Sequence, residues 1–143
     1  MGAAINPLLI LGAVLSAIAA LLHVGCIVFG ASWYRFFGAG ERMARLAEAG
    51  DWRSTTITSV IVAVLSIWAL YALSGAGAIA KLPLLRIGLC AIAAVYSLRG
   101  LAGLLYAAFG ARADATFWWW SSAICLVFGI VHVAGLMQVW SRL

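Results

Sequence analysis

Four blocks of this sequence, at about residues 7–30, 55–73, 84–109 and 117–140, are apolar and each long enough to cross a bilayer as a helix. Together they hold two charged side chains: Arg86 near the start of the third block and Arg99 well inside it. All four carboxylates, Glu41, Glu48, Asp51 and Asp114, fall in the connectors. The chain is 66% hydrophobic, against about 45–50% for a soluble domain, and the excess lies in the blocks. A helix satisfies its own backbone in lipid, so blocks of this kind read as membrane helices. The expected fold class is an all-α membrane protein: one transmembrane domain over residues 1–143, an antiparallel four-helix transmembrane bundle with one short interfacial helix in the first connector.

Charge and cysteine content remove several classes of function. A net charge of +5 would suggest nucleic acid in a soluble chain, but here the basic residues mostly flank the blocks, where Lys and Arg set topology. There is no basic stripe and no recognition motif, so no nucleic-acid partner is expected. Cys26, Cys90 and Cys125 stand alone inside apolar blocks, with no C-x-x-C. They read as small hydrophobes, and neither a metal nor a cofactor is signalled. The first block lacks a basic start and outruns a signal-peptide core, so it is expected to remain as a span. The lipid bilayer is the expected partner, and a bacterial inner (plasma) membrane the expected location.

Along the first block, Gly12, Ser16 and Ala20 recur every four residues, a small-residue face that lets another helix come close. His23 lies near that face. The long connector, residues 31–53, opens with Trp33, Tyr34, Phe36 and Phe37, suited to a membrane interface. Gly38-Ala39-Gly40 breaks it. Residues 41–49 then read as a short helix on the membrane surface, with Glu41 and Arg45 at i,i+4 and Met43, Leu46 and Ala47 apolar. Asp51 is placed to cap the next span. In that span Thr55, Ser59 and Ser66 form a mildly polar face, expected to make interhelical hydrogen bonds. Pro83 suits the start of the third span. Residues 110–115 read as a tight turn holding Arg112 and Asp114, with Asp114 or Thr116 as cap of the fourth span.

Counting Arg and Lys gives an orientation. Arg35, Arg42, Arg45, Arg53 and Arg112 share one side, and Lys81, Arg86 and Arg142 the other. The excess favours the long connector in the cytoplasm.

Arg99 is the residue that needs a reason. A charge at that depth must face protein, water or a partner. At about 1.5 Å per residue, Arg99 lies roughly 15 Å in from residue 109, and His23 roughly 10 Å in from residue 30, on the same side of the membrane. These two can share a layer. His132 lies roughly 22 Å in from residue 117, in a deeper one. That mismatch argues against bis-His haem ligation, which needs both rings at one iron. Tyr96 and Tyr106 lie near the Arg99 stripe and offer hydroxyls. Glu41, following the glycine break, is the carboxylate best placed to dip toward His23 and Arg99, with Arg45 as its surface alternative. The candidate ligand-binding residues are Arg99, His23, Tyr96, Glu41 and His132. No catalytic residue and no metal ligand is nominated.

Three functions remain open. The first is a non-enzymatic binding protein or small carrier, with Arg99 pairing the anionic head of an amphiphile and aromatics packing its apolar part. The second is a structural or accessory subunit, whose small-residue faces bind a second copy or a partner membrane subunit. The third is an enzyme acting on a lipid or isoprenoid, with His23 and Glu41 as acid and base. No carboxylate in the first span and no C-x-x-C set the chain apart from small multidrug-resistance transporters and vitamin K epoxide reductase-like enzymes. In layout alone it resembles the small four-helix DoxX-like membrane proteins, and no motif makes that specific.

Overall fold

The computed structural model describes residues 5–110 and 115–143. Its helices are α1 (Pro7–Phe29), α2 (Ala31–Phe36), α3 (Glu41–Glu48), α4 (Trp52–Ala76), α5 (Leu85–Phe109) and α6 (Ala115–Val139), and a 3-10 turn follows at Trp140–Arg142. Among the described residues there is no strand. Helices α1, α4, α5 and α6 are long and apolar enough to cross a membrane. The protein is all-α, and these four helices form its bundle. Residues 111–114, with Arg112 and the candidate cap Asp114, lie outside the described residues.

Local chemistry sets where the helices begin and end. Pro7 opens α1, and the Asn6 side chain accepts from Leu9 N at 2.9 Å. Asn6 also ties three helices together at this end. Its backbone N–H donates to Ala76 O at 3.0 Å, and its Nδ2 donates to Gln138 Oε1 at 2.8 Å. Asp51 caps α4 through Arg53 N, as expected. Helix α4 outruns its expected span of residues 55–73 at both ends. The cap starts it at Trp52, and Ser74, Gly75 and Ala76, past the expected end, are buried helix. A Cβ on Gly75 would stand 2.6 Å from Leu89 and 3.1 Å from Leu9, so small size is what this position supplies. Pro83 precedes α5 rather than opening it, because Leu84 takes a left-handed conformation and forms the N-cap.

Packing divides the bundle into three layers. At the end where the termini lie, Leu9, Ala76, Leu85, Leu89, Leu136 and Val139 form one cluster. In the middle, Ala20, Leu65, Ile92 and Tyr96 form a second. At the connector end, Cys26, Tyr34 and Ala44 form the third. Helix α1 packs along α4, and α5 along α6. The α5–α6 seam is the tighter to read. Gly100 stands against Leu126, where an added Cβ would lie 2.8 Å from its backbone N. Gly129 stands against Ser97, 2.9 Å from its backbone N by the same measure. Backbone does not yield as a side-chain tip does, so these two contacts fix the separation of the helices.

The connector is more helical than its sequence suggests. Its aromatic run is α2, and Tyr34 anchors it: the Tyr34 hydroxyl lies 2.8 Å from Thr58 Oγ1 on α4. Both hydroxyls also reach Ser54 O, Thr58 at 2.8 Å and Tyr34 at 3.5 Å. The short helix expected near residues 41–49 is α3. It turns Met43, Ala44 and Ala47 toward Cys26 and Tyr34 at the bundle end, and its charged side outward. The polar face of α4 differs from expectation. Thr55, Ser59 and Ser66 point away from the bundle, and Ser66 donates to Val62 O in its own helix. The α4 hydroxyl that does bridge elements here is Thr58, one face over, where Tyr34 meets it.

Gly100→Val is expected to destabilise the protein by about 1–3 kcal/mol, the usual cost of overpacking. Leu98→Ala, on the exposed side of the same helix, should change stability by less than about 0.5 kcal/mol. Thermal unfolding in detergent micelles checks both.

Candidate functional site

The structure separates the polar residues of the spans into two groups. The first is buried between α1, α5 and α6. Ser16 Oγ and the Tyr96 hydroxyl lie 3.0 Å apart, both residues buried. The Tyr96 and His132 rings are 5.2 Å apart between centroids, and Trp68 and Phe128 stand edge-on to Tyr96. His132 is 1% exposed. Its Nδ1 meets Phe128 O, one turn back, at 2.8 Å. A carbonyl only accepts, so Nδ1 carries the hydrogen and Nε2 is a bare acceptor. That Nε2 is buried with no hydrogen-bond partner among the described residues. It presses on Gly12, where a Cβ would lie 3.0 Å away. The small face of α1 thus admits an imidazole as well as a helix.

The second group surrounds Arg99 on the α5–α6 seam. Arg99 Nη1 donates to Ser122 Oγ at 3.2 Å and Nη2 to Ser121 Oγ at 3.0 Å. The guanidinium carbon lies 4.7 Å from the Trp118 ring centroid, a cation–π contact. Among the described residues no carboxylate touches it. Cross-seam contacts set the levels: Ser97 faces Gly129, Gly100 faces Leu126, Gly103 faces Ser122 and Tyr106 faces Trp118. Arg99 therefore starts level with about residue 126 but ends at Trp118–Ser122, roughly 7 Å nearer the connector end. Gly103 makes room for it: a Cβ there would lie 2.5 Å from Nη1. An open groove of about 290 Å³ runs beside it, lined by Arg99, Ala102, Gly103, Tyr106 and Trp118. Arg99 itself is half-buried, while Ala102 and Tyr106 are exposed on the outer side of the bundle.

Of the five candidates, the structure brings Tyr96 and His132 together and leaves the other three apart. His23 does share the depth of the Arg99 head. The contacts of Gly12 with His132 and of Leu9 with Gly135 place residue 23 level with about residue 121. It does not line the groove, and its Nδ1 meets Ala19 O at 2.7 Å. Glu41 turns to the connector. Arg35 clasps it through Nε at 3.0 Å and Nη2 at 2.9 Å, and reaches Glu48 through Nη1 at 2.6 Å. Arg45 adds a longer contact to Glu41 at 3.5 Å. Trp118, Ser121 and Ser122 were not among the candidates, although they hold the Arg99 head. Compared with protein-family models, curated proteins and solved structures, the chain matches none.

Hydrogen bonds from Arg35 hold the Glu41 carboxyl down to about 2, and those to Glu48 lower that group too. A carboxylate whose value falls on folding contributes stability above its ordinary value, 4.5, and loses it as pH falls toward about 2. Amide hydrogen exchange over residues 31–50, corrected for intrinsic rate, should show connector protection falling between pH 5 and pH 2. In Arg35→Gln protection should already be low at pH 5, with little further change.

Proposed function

We propose that this is a small multi-pass membrane protein that binds or carries an amphiphile with an anionic head, held at Arg99 in the α5–α6 groove. The observation that supports this reading most is the setting of Arg99. Its charge is positioned by two hydroxyls and one ring, all neutral, beside a groove with apolar walls. Two serines and Trp118 orient the guanidinium, and the donors they leave unused are available to a carboxylate or phosphate oxygen. The head sits roughly 8 Å in from the Phe109 end, a depth that a lipid-like molecule reaches from the side. Tyr106, Ala102 and Gly103 then border the start of its chain. His23, Tyr96, His132 and Glu41 stand outside this groove, and their roles in the reading are structural.

A second reading draws on a different observation. The outward hydroxyls of α4, Thr55, Ser59 and Ser66, lie on the span with the smallest buried share, 22%. They fit a subunit that docks another membrane helix.

The two are separated by binding. Laurate, titrated at pH 8.5 into the protein in a neutral detergent, should bind at least about tenfold more tightly than methyl laurate. A charge-assisted hydrogen bond is worth about 1.5–3 kcal/mol, about 10- to 150-fold. Arg99→Gln should abolish that preference and Arg99→Lys retain part of it, with helix content unchanged by circular dichroism. Equal binding of laurate and methyl laurate, or an unaltered preference in Arg99→Gln, would overturn the proposal. Calorimetry or native mass spectrometry reads either result.

A further inference from the structure

The opposite end of the bundle carries a second cationic feature, and the loop that presents it is unusually well held. The turn between α4 and α5 is fixed at several points. Ser74 Oγ donates to Ala80 O at 3.0 Å and accepts from Leu82 N at 2.9 Å, so one hydroxyl grips the chain on both sides of Lys81. The Tyr71 hydroxyl donates to Pro83 O at 3.0 Å. Ala78 N donates to Leu73 O at 3.0 Å. Leu84, next, holds φ 52° and is 72% exposed. A leucine in the left-handed region is strained, and in this conformation its side chain stands out from the bundle.

Two cations converge beside that leucine on the end of α6. The Arg86 guanidinium carbon lies over the Trp140 ring, 4.7 Å from its centroid, and Nη2 donates to Trp140 O at 3.3 Å. Lys81 Nζ reaches the backbone oxygens of Leu143 and Arg142 at 3.4 and 3.5 Å. The acceptor for Arg86 is a backbone carbonyl, which carries no charge to offset the guanidinium. The described carboxylates, Glu41, Glu48 and Asp51, all stand at the connector end. Trp140 is a residue of the membrane–water interface, half-exposed here. Two oriented cations, an interfacial tryptophan and an outward leucine thus occupy one edge, where the third and fourth spans meet the interface.

We propose that Lys81 and Arg86, with Trp140 and Leu84, form a site for the phosphate of an anionic phospholipid in the leaflet at the terminal end. The phosphate bridges Lys81 Nζ and the N–H groups of Arg86 that Trp140 leaves free. Leu84 and the outer face of α5 meet the acyl chains. The site is distinct from the Arg99 groove, at the other end of the same helix. It rests on the membrane reading of the four spans but not on any ligand at Arg99.

Native mass spectrometry from neutral detergent measures it, with phosphatidylglycerol and phosphatidylcholine of the same chain length as probes. The wild type should hold phosphatidylglycerol at least about tenfold more tightly than phosphatidylcholine. Each cation is worth about fivefold, so Lys81→Gln/Arg86→Gln should weaken phosphatidylglycerol about 25-fold. The charge-preserving pair Lys81→Arg/Arg86→Lys should stay within about threefold of the wild type, which separates loss of charge from loss of fold. Arg99→Gln should leave phosphatidylglycerol binding unchanged. The proposal is overturned if the double Gln variant binds as the wild type does, or if the two lipids bind equally. Displacement of the lipid by millimolar inorganic phosphate would overturn it too, since the site would then read a free anion.

Discussion

Close approach between helices is the constraint on which this bundle depends. In lipid the hydrophobic effect does not drive one helix against another, so association comes from packing and from polar contacts between helices. Both require short distances. Gly100 and Gly129 supply them on the α5–α6 seam by bringing each helix onto the other's backbone. The position of Arg99 follows from that separation. With α6 this close, Ser121 and Ser122 fall within reach of the guanidinium, and Gly103 leaves the space it occupies. The same logic operates on α1, where Gly12 lets the His132 ring fit between helices. A larger residue at either place would displace a polar group as well as a helix.

This accounts for how a chain with no carboxylate in its spans carries Arg99 well inside one. Arg99 neither stays at the depth of its own Cα nor turns to a partner charge among the described residues. It runs along the seam toward the interface, and its head ends among hydroxyls and an indole. Each contact is modest, but together they fix the head in one orientation beside an open groove. A guanidinium fixed in this way keeps donors for an oxygen anion at little further cost in ordering. The connector uses its charges differently. Arg35 joins Glu41 and Glu48 across α2 and α3, and Tyr34 pins the pair of helices to α4. That end is closed by its own ion pairs.

The four spans were legible because apolar length is a direct signal. Their ends were less so. Ser74, Gly75 and Ala76 fall past the expected end of the second span, because nothing local reveals that Leu9 and Leu89 need a small neighbour at Gly75. The helix α2 was hidden by aromatics that suit an interface in any conformation. The α4 stripe of Thr55, Ser59 and Ser66 was visible as a face, but its direction is decided by Ser54 and Thr58, which Tyr34 draws inward. For Arg99 a signal was present and unused. The few residues between the third and fourth apolar blocks imply an antiparallel pair, which brings the first half of the fourth block, with the hydroxyl pair Ser121-Ser122, to the level an Arg99 side chain can reach. Depth counting brought His23 to the right level but could not say which way it faced. The same count puts Tyr96 roughly 20 Å in from residue 109, close to the depth of His132, and the two rings do meet.

The most direct test is whether an anion sits on the Arg99 guanidinium in a bilayer. Solid-state NMR can read this with guanidinium-¹⁵N arginine in the protein and carboxyl-¹³C laurate in unlabelled phosphatidylcholine, with Arg99→Gln as the subtraction. The account predicts a nitrogen–carbon coupling from Arg99 corresponding to about 4 Å or less, the distance of a hydrogen-bonded guanidinium–carboxylate pair. No difference between the wild type and Arg99→Gln would contradict it, and would leave Arg99 as a side chain that only joins two helices.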